Sequence, residues 1–347
     1  MTKREIKKRR KKISYPYADT ANITIPIMHC FDNNYVVPAA VSFYSMLENA
    51  SPEFNYKLYV LHTDITEENQ NKLKDLVDSF TNASIEFINM ENRFNDIWNV
   101  LDSKCHYSKE MFYKLLTPSI FPSYDKIIVT DVDVVFLGDI SESYFSIDPN
   151  DDDIYFSGIK HVLPANSWLA QYYKSYDEKF GEGAVDKLKI CAGYIVMDLK
   201  NMRRDNAEKM FVDYLADNSH RLLQPEQDTM NFCCTEKNIY YLPLNNLVCS
   251  YCYDVFNTKK SLKSDMNYSA KQIKCALNKP IQLHFATHKK PWNDSSITMA
   301  DVWFLYLEKT GFAQELLQNA YNEISRSERI KKLPKRIYRI INKPKKG

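Results

Sequence analysis

Short apolar runs alternate along this chain with longer stretches in which apolar residues return every three or four positions. Residues 23–30, rich in isoleucine, read as a first strand that stops at Asp32-Asn-Asn34-Tyr35. From Pro38 the spacing of Val41, Phe43, Tyr44, Met46 and Leu47 predicts a helix, with the proline in its opening turn. Residues 56–62 form a second strand; Thr66 then caps a helix whose inner face is Leu73, Leu76, Val77 and Phe80. A third strand over 84–89, a helix over 108–116 and a fourth strand over 127–129 continue the alternation. Further strands are expected at 154–157, 190–197 and 282–285, and helices at 205–217, 226–234, 299–309 and 313–324. Strand and helix in turn predict an α/β fold, a mostly parallel sheet with helices on its faces. Ligands of such sheets gather at the carboxyl ends of the strands.

The second half of the fourth run carries chemistry. Lys126-Ile-Ile-Val-Thr-Asp131-Val132-Asp133 is an apolar strand that stops at two aspartates two positions apart, which extended backbone turns to the same side. Two hard oxygen donors at a strand exit suit a divalent cation and a phosphate; solvated loop aspartates are the plain alternative. The same Asp-x-Asp after a strand also fits the opening of haloacid-dehalogenase-type phosphatases, with Asp131 as nucleophile. That motif normally opens its fold, whereas here three strand–helix patterns precede it.

Composition narrows the field. Hydrophobic residues are 44% of 347, enough to build a large core. Only seven glycines are present, and Gly181-Glu-Gly183 is not continued, so a glycine-rich nucleotide loop of the Rossmann or P-loop kind is excluded. Eight scattered cysteines, with no apolar segment behind the basic N-terminus, point to free thiols in a reducing cytoplasm. Cys249-Ser-Tyr-Cys252, with Cys233 and Cys234 upstream, has one pair at zinc-like spacing but lacks regular flanking ligands. The net charge of +2 divides into +7 over residues 1–12, +9 over 326–347 and −14 over the body between. An acidic body excludes general nucleic-acid binding. The basic tails suit an anionic membrane surface, the second one especially, because Ile330, Leu333, Ile337, Tyr338, Ile340 and Ile341 interleave with its charges. A peripheral place on the inner face of the cell membrane follows as an expectation, with a basic tail at 1–20, one catalytic domain at 21–312 and a helical, basic extension at 313–347.

His284-Phe-Ala-Thr287-His-Lys-Lys290-Pro291-Trp292, far downstream of Asp131-Val-Asp133, resembles the H-x-x-G-x-x-K-P-W motif of family 8 glycosyltransferases, retaining enzymes of the GT-A fold. Gln224-Pro-Glu226-Gln227-Asp228 lies between the two, and Asp32-Asn-Asn34-Tyr35 matches the family's first strand end. The resemblance runs from about residue 22 to 312 and is strongest to bacterial galactosyl- and glucosyltransferases of lipopolysaccharide. It implies Mn²⁺ (or Mg²⁺) held by Asp131, Asp133 and His284, a mixed oxygen and nitrogen donor set. It further implies a UDP-glucose or UDP-galactose donor contacted by Cys30, Asp32, Asn34, Lys114, Val132, Thr287 and Lys290. The anomeric carbon would lie near Gln227, with Glu226 and Asp228 on sugar hydroxyls, and the hexose would pass to a glycan or glycolipid acceptor. Trp292 is either part of this motif's function or a core aromatic. Three departures stand out: Thr287 replaces the motif's glycine, Cys191-Ala192-Gly193 replaces N-A-G, and Lys114 stands where arginine is common. They motivate a second reading, a catalytically weak nucleotide-sugar-binding protein of envelope assembly.

Overall fold

The computed structural model describes residues 23–91, 93, 109–148, 150–165 and 167–316. Its centre is a seven-stranded sheet in the order β3-β2-β1-β4-β7-β6-β8, formed by β1 (Thr24–Cys30), β2 (Asn55–His62), β3 (Ala83–Asn89), β4 (Lys126–Thr130), β6 (Phe156–Gly158), β7 (Tyr194–Asp198) and β8 (Ile239–Tyr241). Six strands point one way; β7 alone runs against its neighbours β4 and β6. β1, β4 and β7 are apolar on both faces because the sheet is covered on both sides.

One face packs on α1 (Val36–Asn49), which buries eleven of its fourteen residues, and on α2 (Glu67–Asp78), capped by the Thr66 hydroxyl as its sequence predicts. The helices continue with α3 (Trp168–Phe180), α4 (Ala207–Asn218), α5 (Pro225–Cys233), α6 (Ala270–Asn278) and α7 (Ala300–Thr310). Two hydrophobic cores lie on opposite faces of the sheet, one around Phe43, Leu58 and Trp303, the other around Tyr113, Phe156 and Phe211.

A second, three-stranded sheet was not legible in the pattern. Of its members, β10 (Gln282–His284) lies within the strand expected at 282–285, whereas β5 (Val134–Phe136) and β9 (Val248–Cys249) are two or three residues long, too short for a period to register. β10 pairs antiparallel with β5 and parallel with β9, so His284 lies opposite both Val134 and Cys249. The small sheet therefore starts where the large one ends, at Asp131-Val132-Asp133.

Two local expectations need correction. The stretch over 109–116 is wound as a 3-10 helix (Lys109–Leu116) and not as an α-helix. Phe112 to Leu116 are all buried, so the segment crosses the core and has no solvent-facing stripe. The strand expected from residue 190 begins only at Tyr194, because Ile190 and Ala192 spend backbone groups on side chains of α5 and on Lys114. The helix expected at 313–324 runs beyond the described residues, as do both basic tails. Among the described residues no helix is long and apolar enough to cross a membrane.

α7 is held by Trp303, fully buried between Trp292 (centroids 5.4 Å apart) and Phe304 (5.2 Å). Trp303→Ala should lower unfolding stability by about 3–5 kcal/mol, measured as a drop in the chemical-denaturation midpoint at unchanged slope; a loss below ~1 kcal/mol would contradict this packing.

Candidate active site

Four segments meet at the carboxyl edge of the large sheet: the exit of β4 with Asp131, the entry to β5 with Asp133, the end of β10 with His284 and the run 191–193 leading into β7. Main-chain bonds fix them to one another: Asp131 N–H donates to Gly193 O at 3.1 Å, Phe285 N–H to Asp133 O at 2.9 Å and Ser250 N–H to His284 O at 2.8 Å. The Gln282 amide reaches back to the Thr130 hydroxyl at 2.7 Å, tying β10 to β4.

Asp131, Asp133 and His284 each offer a ligand atom, all within 4.8 Å of one another, and among the described residues they form the only such group. His284 Nε2 is 3.1 Å from Asp133 Oδ1 and 3.5 Å from Asp131 Oδ2. Two ammonium groups flank the carboxylates. Lys114 Nζ, almost wholly buried, donates to Asp131 Oδ1 at 2.6 Å and to Ala192 O at 3.2 Å. Lys290 Nζ donates to Asp133 Oδ2 at 2.5 Å and to Phe285 O at 2.7 Å. Burial would raise the Asp133 carboxyl, but His284 and Lys290 outweigh it and hold it well below the usual range. Burial likewise opposes the charge on His284, yet the Asp133 carboxylate holds the imidazole up at about 10. Lys114 stays above the usual lysine range, Asp131 and Glu226 overcoming its burial.

Room for the cluster comes from Gly193. A Cβ there would sit 2.6 Å from His284 Cε1 and 3.2 Å from Asp131 Oδ2, so no larger residue fits without moving the imidazole. Two carboxylates and one imidazole so close together are a donor set that could hold a divalent cation.

On the other side lies the first turn of α5. Gln227 Oε1 accepts from Ala192 N–H at 2.9 Å, and its amide donates to the Gln224 side chain. Glu226 is buried with Oε1 4.0 Å from Lys114 Nζ and Oε2 without a partner. Burial pushes its carboxyl up to about 7, with Lys114 opposing and the Asp131 charge adding. Asp228 departs from the expected sugar contact. It is fully buried, taking the Tyr176 hydroxyl at 2.8 Å on one oxygen and the amides of Leu223 and Gln224 at 2.8 and 2.9 Å on the other. One oxygen closes the turn before α5 and the other ties α5 to Tyr176.

The β1 exit brings Asp32 and Asn34 to the same edge. Asp32 closes an Asx turn on Asn34 N–H at 3.0 Å, and Asn34 is exposed. Cys30, at the end of β1, has its thiol pushed up by burial, and Val132 is buried between the two aspartates. Trp292 stacks edge-on against Tyr35 at 5.8 Å and on Trp303, so the Asp32–Tyr35 turn and the Lys290 loop are packed as one piece. Thr287 shows how the missing glycine is absorbed. Among the described residues, positive φ outside glycine occurs only at Asn206 and Met299, and the Thr287 hydroxyl bonds Lys289 O at 3.1 Å.

Two residues went unnoticed in the sequence. Asn33 carries the cross-link to α2, taking Thr66 N–H and the Asn69 amide on Oδ1. Asn231, one turn after Gln227, accepts from Lys189 and Ile190 N–H and donates to Ile190 O and Gln227 O, all at 2.7–3.0 Å. It clamps the entry to β7 onto α5. Its only signal was its place four residues beyond Gln227. The zinc-like cysteines do not assemble: no cysteine belongs to a metal-capable group among the described residues.

The profile of glycosyl transferase family 8 matches residues 26–296, most of the chain. The chain belongs to glycosyltransferase family 8. Membership sets aside the phosphatase reading of Asp131. General stress protein A of Bacillus subtilis (strain 168) is 21% identical over 295 residues, 82% of this family 8 chain and 93% of that protein. In structure, the apo WbbM bifunctional glycosyltransferase aligns at a TM-score of 0.66 and 20% identity over 86% of this chain. This chain spans about half of WbbM's length, 52%. The galactosyltransferase LgtC, solved with donor and acceptor sugar analogues, aligns at 0.63 and 18% over 82% of this chain and 96% of LgtC. GlyE of Streptococcus pneumoniae TIGR4 aligns at 0.57 and 17% over 82% of this chain and 60% of GlyE. These likenesses establish the fold as that of the GT-A glycosyltransferases.

Two outcomes follow from the cluster. Gly193→Ala should weaken Mn²⁺ binding by about tenfold or more in calorimetric titration while leaving the circular dichroism of the fold intact. Because the imidazole of His284 holds its proton up to about 10 and must lose it to ligate a cation, Mn²⁺ affinity should rise with pH. With one proton released, the slope is about tenfold per pH unit between roughly pH 6 and 8. A flat profile would remove His284 from the ligand set.

Proposed function

We propose that this family 8 chain transfers a hexose, with retention, from UDP-glucose or UDP-galactose to a cell-surface glycan acceptor, lipopolysaccharide or another lipid-linked saccharide. The observation that carries the reading is the pair of carboxylates and one imidazole at the strand exits, flanked by Lys114 and Lys290.

A divalent cation on Asp131, Asp133 and His284 would neutralise the charge that develops on a departing diphosphate. The rest is done by the chain's own side chains. Lys290 and Lys114 are bonded to the carboxylates in this structure. Once a cation takes those oxygens, both ammonium groups can turn to phosphate or sugar oxygens. Asp32 and the exposed Asn34 lie one strand over, where a uracil and ribose would reach, and the Trp292–Tyr35 contact keeps that turn in register with Lys290. Gln227, held by Ala192 N–H, presents a carboxamide toward the donor sugar. An amide is a feeble nucleophile, so we favour attack from the face of the leaving phosphate over a covalent intermediate. Glu226, carrying its proton through much of the neutral range, is the carboxyl placed to hydrogen-bond a sugar hydroxyl; Asp228 instead keeps the turn closed.

A position on the inner face of the cell membrane, held by the basic segments 1–20 and 326–347, would bring this site to lipid-linked acceptors. Sedimentation with anionic vesicles before and after removing residues 326–347 tests that part alone; equal sedimentation would remove it.

The catalytic reading is tested with the purified chain, Mn²⁺ and a panel of nucleotide sugars, read as released nucleotide diphosphate. Release from UDP-glucose or UDP-galactose above the rest of the panel is expected, and Asp131→Ala with Asp133→Ala should lower it by about a thousandfold. Unchanged release from the double variant would overturn the proposal, and nucleotide binding with no release from any sugar would favour the catalytically weak reading that Thr287 and Cys191 motivate.

A further inference from the structure

The acceptor has no place yet in this site, and α3 supplies one. It carries aromatic rings at Trp168, Tyr172, Tyr173, Tyr176 and Phe180, and three contacts tie it to the segments that build the site. The Tyr176 hydroxyl bonds Asp228 on α5. Tyr173 meets His161 at 3.3 Å, and the same imidazole bonds Ile190 O at 2.8 Å on the run into Gly193. Trp168 packs edge-to-face on Tyr251, centroids 5.5 Å apart, and Tyr251 follows Ser250, whose N–H is bonded to His284 O. α3 thus spans from the Gln227 side of the site to the His284 side.

Tyr173 and Tyr176 are buried by these contacts, whereas Trp168 leaves 55% of its surface open. A large ring that is half exposed yet pinned along one edge is a pre-ordered flat surface, with little left to lose when something stacks on it. On this protein it stands at the first residue of α3, against Tyr251, next in the chain to the residue that bonds the His284 carbonyl. We propose that Trp168, seated on Tyr251, is a stacking platform for a neutral pyranose ring of the acceptor. The inference rests on the glycosyl-transfer reading and deepens it. A pyranose offers an apolar C–H face of about a ring's size and hydroxyls around its rim, which matches a half-exposed aromatic face held in place by Tyr251. Continuity with the His284 segment favours a saccharide over a lipid surface as the occupant, since only a saccharide has to reach the donor.

The test uses the full chain with Mn²⁺ and UDP, and neutral oligosaccharides (lactose, maltose and cellobiose) as probes in saturation-transfer NMR. At least one probe should bind the wild type, and on its addition the Trp168 indole N–H resonance, assigned through Trp168→Phe, should shift. Trp168→Ala should weaken that binding by about tenfold and Trp168→Phe by no more than about threefold, with UDP affinity held in both as the check of folding. Should the alanine variant lose UDP binding as well, the wild-type indole shift decides the matter by itself. The platform is overturned if no probe binds, if Trp168→Ala binds as the wild type does, or if the indole resonance responds only to anionic lipid vesicles. Saccharide binding through Trp168 without any turnover of UDP-sugars would sink the catalytic reading and keep the platform; turnover with Trp168 silent would do the reverse.

Discussion

The structure depends on keeping two carboxylates together at the edge of a hydrophobic core. Asp131 and Asp133 face the same space, and like charges so close cannot both stay ionised without compensation. Lys114, Lys290 and a protonated His284 provide it, three positive groups against two negative ones. Glu226, whose carboxyl is pushed up to about 7, adds only a partial negative charge near neutrality. The balance is tilted toward positive, which makes the pocket attractive to a diphosphate, and the excess grows if a divalent cation replaces the imidazole proton.

That compensation explains much of the architecture around it. Lys114 has to arrive from beneath, so the segment carrying it is buried and tightly wound. Lys290 has to arrive from beyond β10, and its loop is stiffened by Pro291 and by the Trp292 contacts to Tyr35 and Trp303. The small sheet exists to bring His284 opposite Val134, one residue past Asp133. Remove any one of these arrivals and a buried charge is left without its partner, which costs several kcal/mol.

Much of this was legible in the sequence where the signal was local. The strands β1 to β4 and the helices α1, α2, α4, α5 and α7 lie within a few residues of where their periodicity puts them, because each buries one face or both against a single sheet. The aspartates, His284 and Lys290 could be singled out because family 8 motifs keep these residue types in a fixed order. What failed was whatever depends on a partner distant in the chain. Asp228 looked like a ligand-facing carboxylate, since nothing in its neighbours announces that Tyr176 and two amides of its own turn consume its oxygens. Asn231 looked like an ordinary helix polar residue, since its four bonds run to a segment 41 residues earlier and to its own helix. Two-residue strands such as β9 carry no period at all.

The reversal of β7 has a consequence for how this site can change over time. In the other strands of the large sheet, a loop following the strand faces the ligand and can lengthen without disturbing the ladder behind it. At β7 it is the approach to the strand that faces the ligand, and Asn231 clamps it at Lys189 and Ile190, Gln227 and Lys114 at Ala192, and Thr130 at Gly193, before the ladder begins. An insertion there would slide Gly193 off the imidazole and shift the whole strand by the same step, turning inward-facing residues outward. Descendants of this chain can therefore be expected to keep the length of the approach to β7, residue for residue.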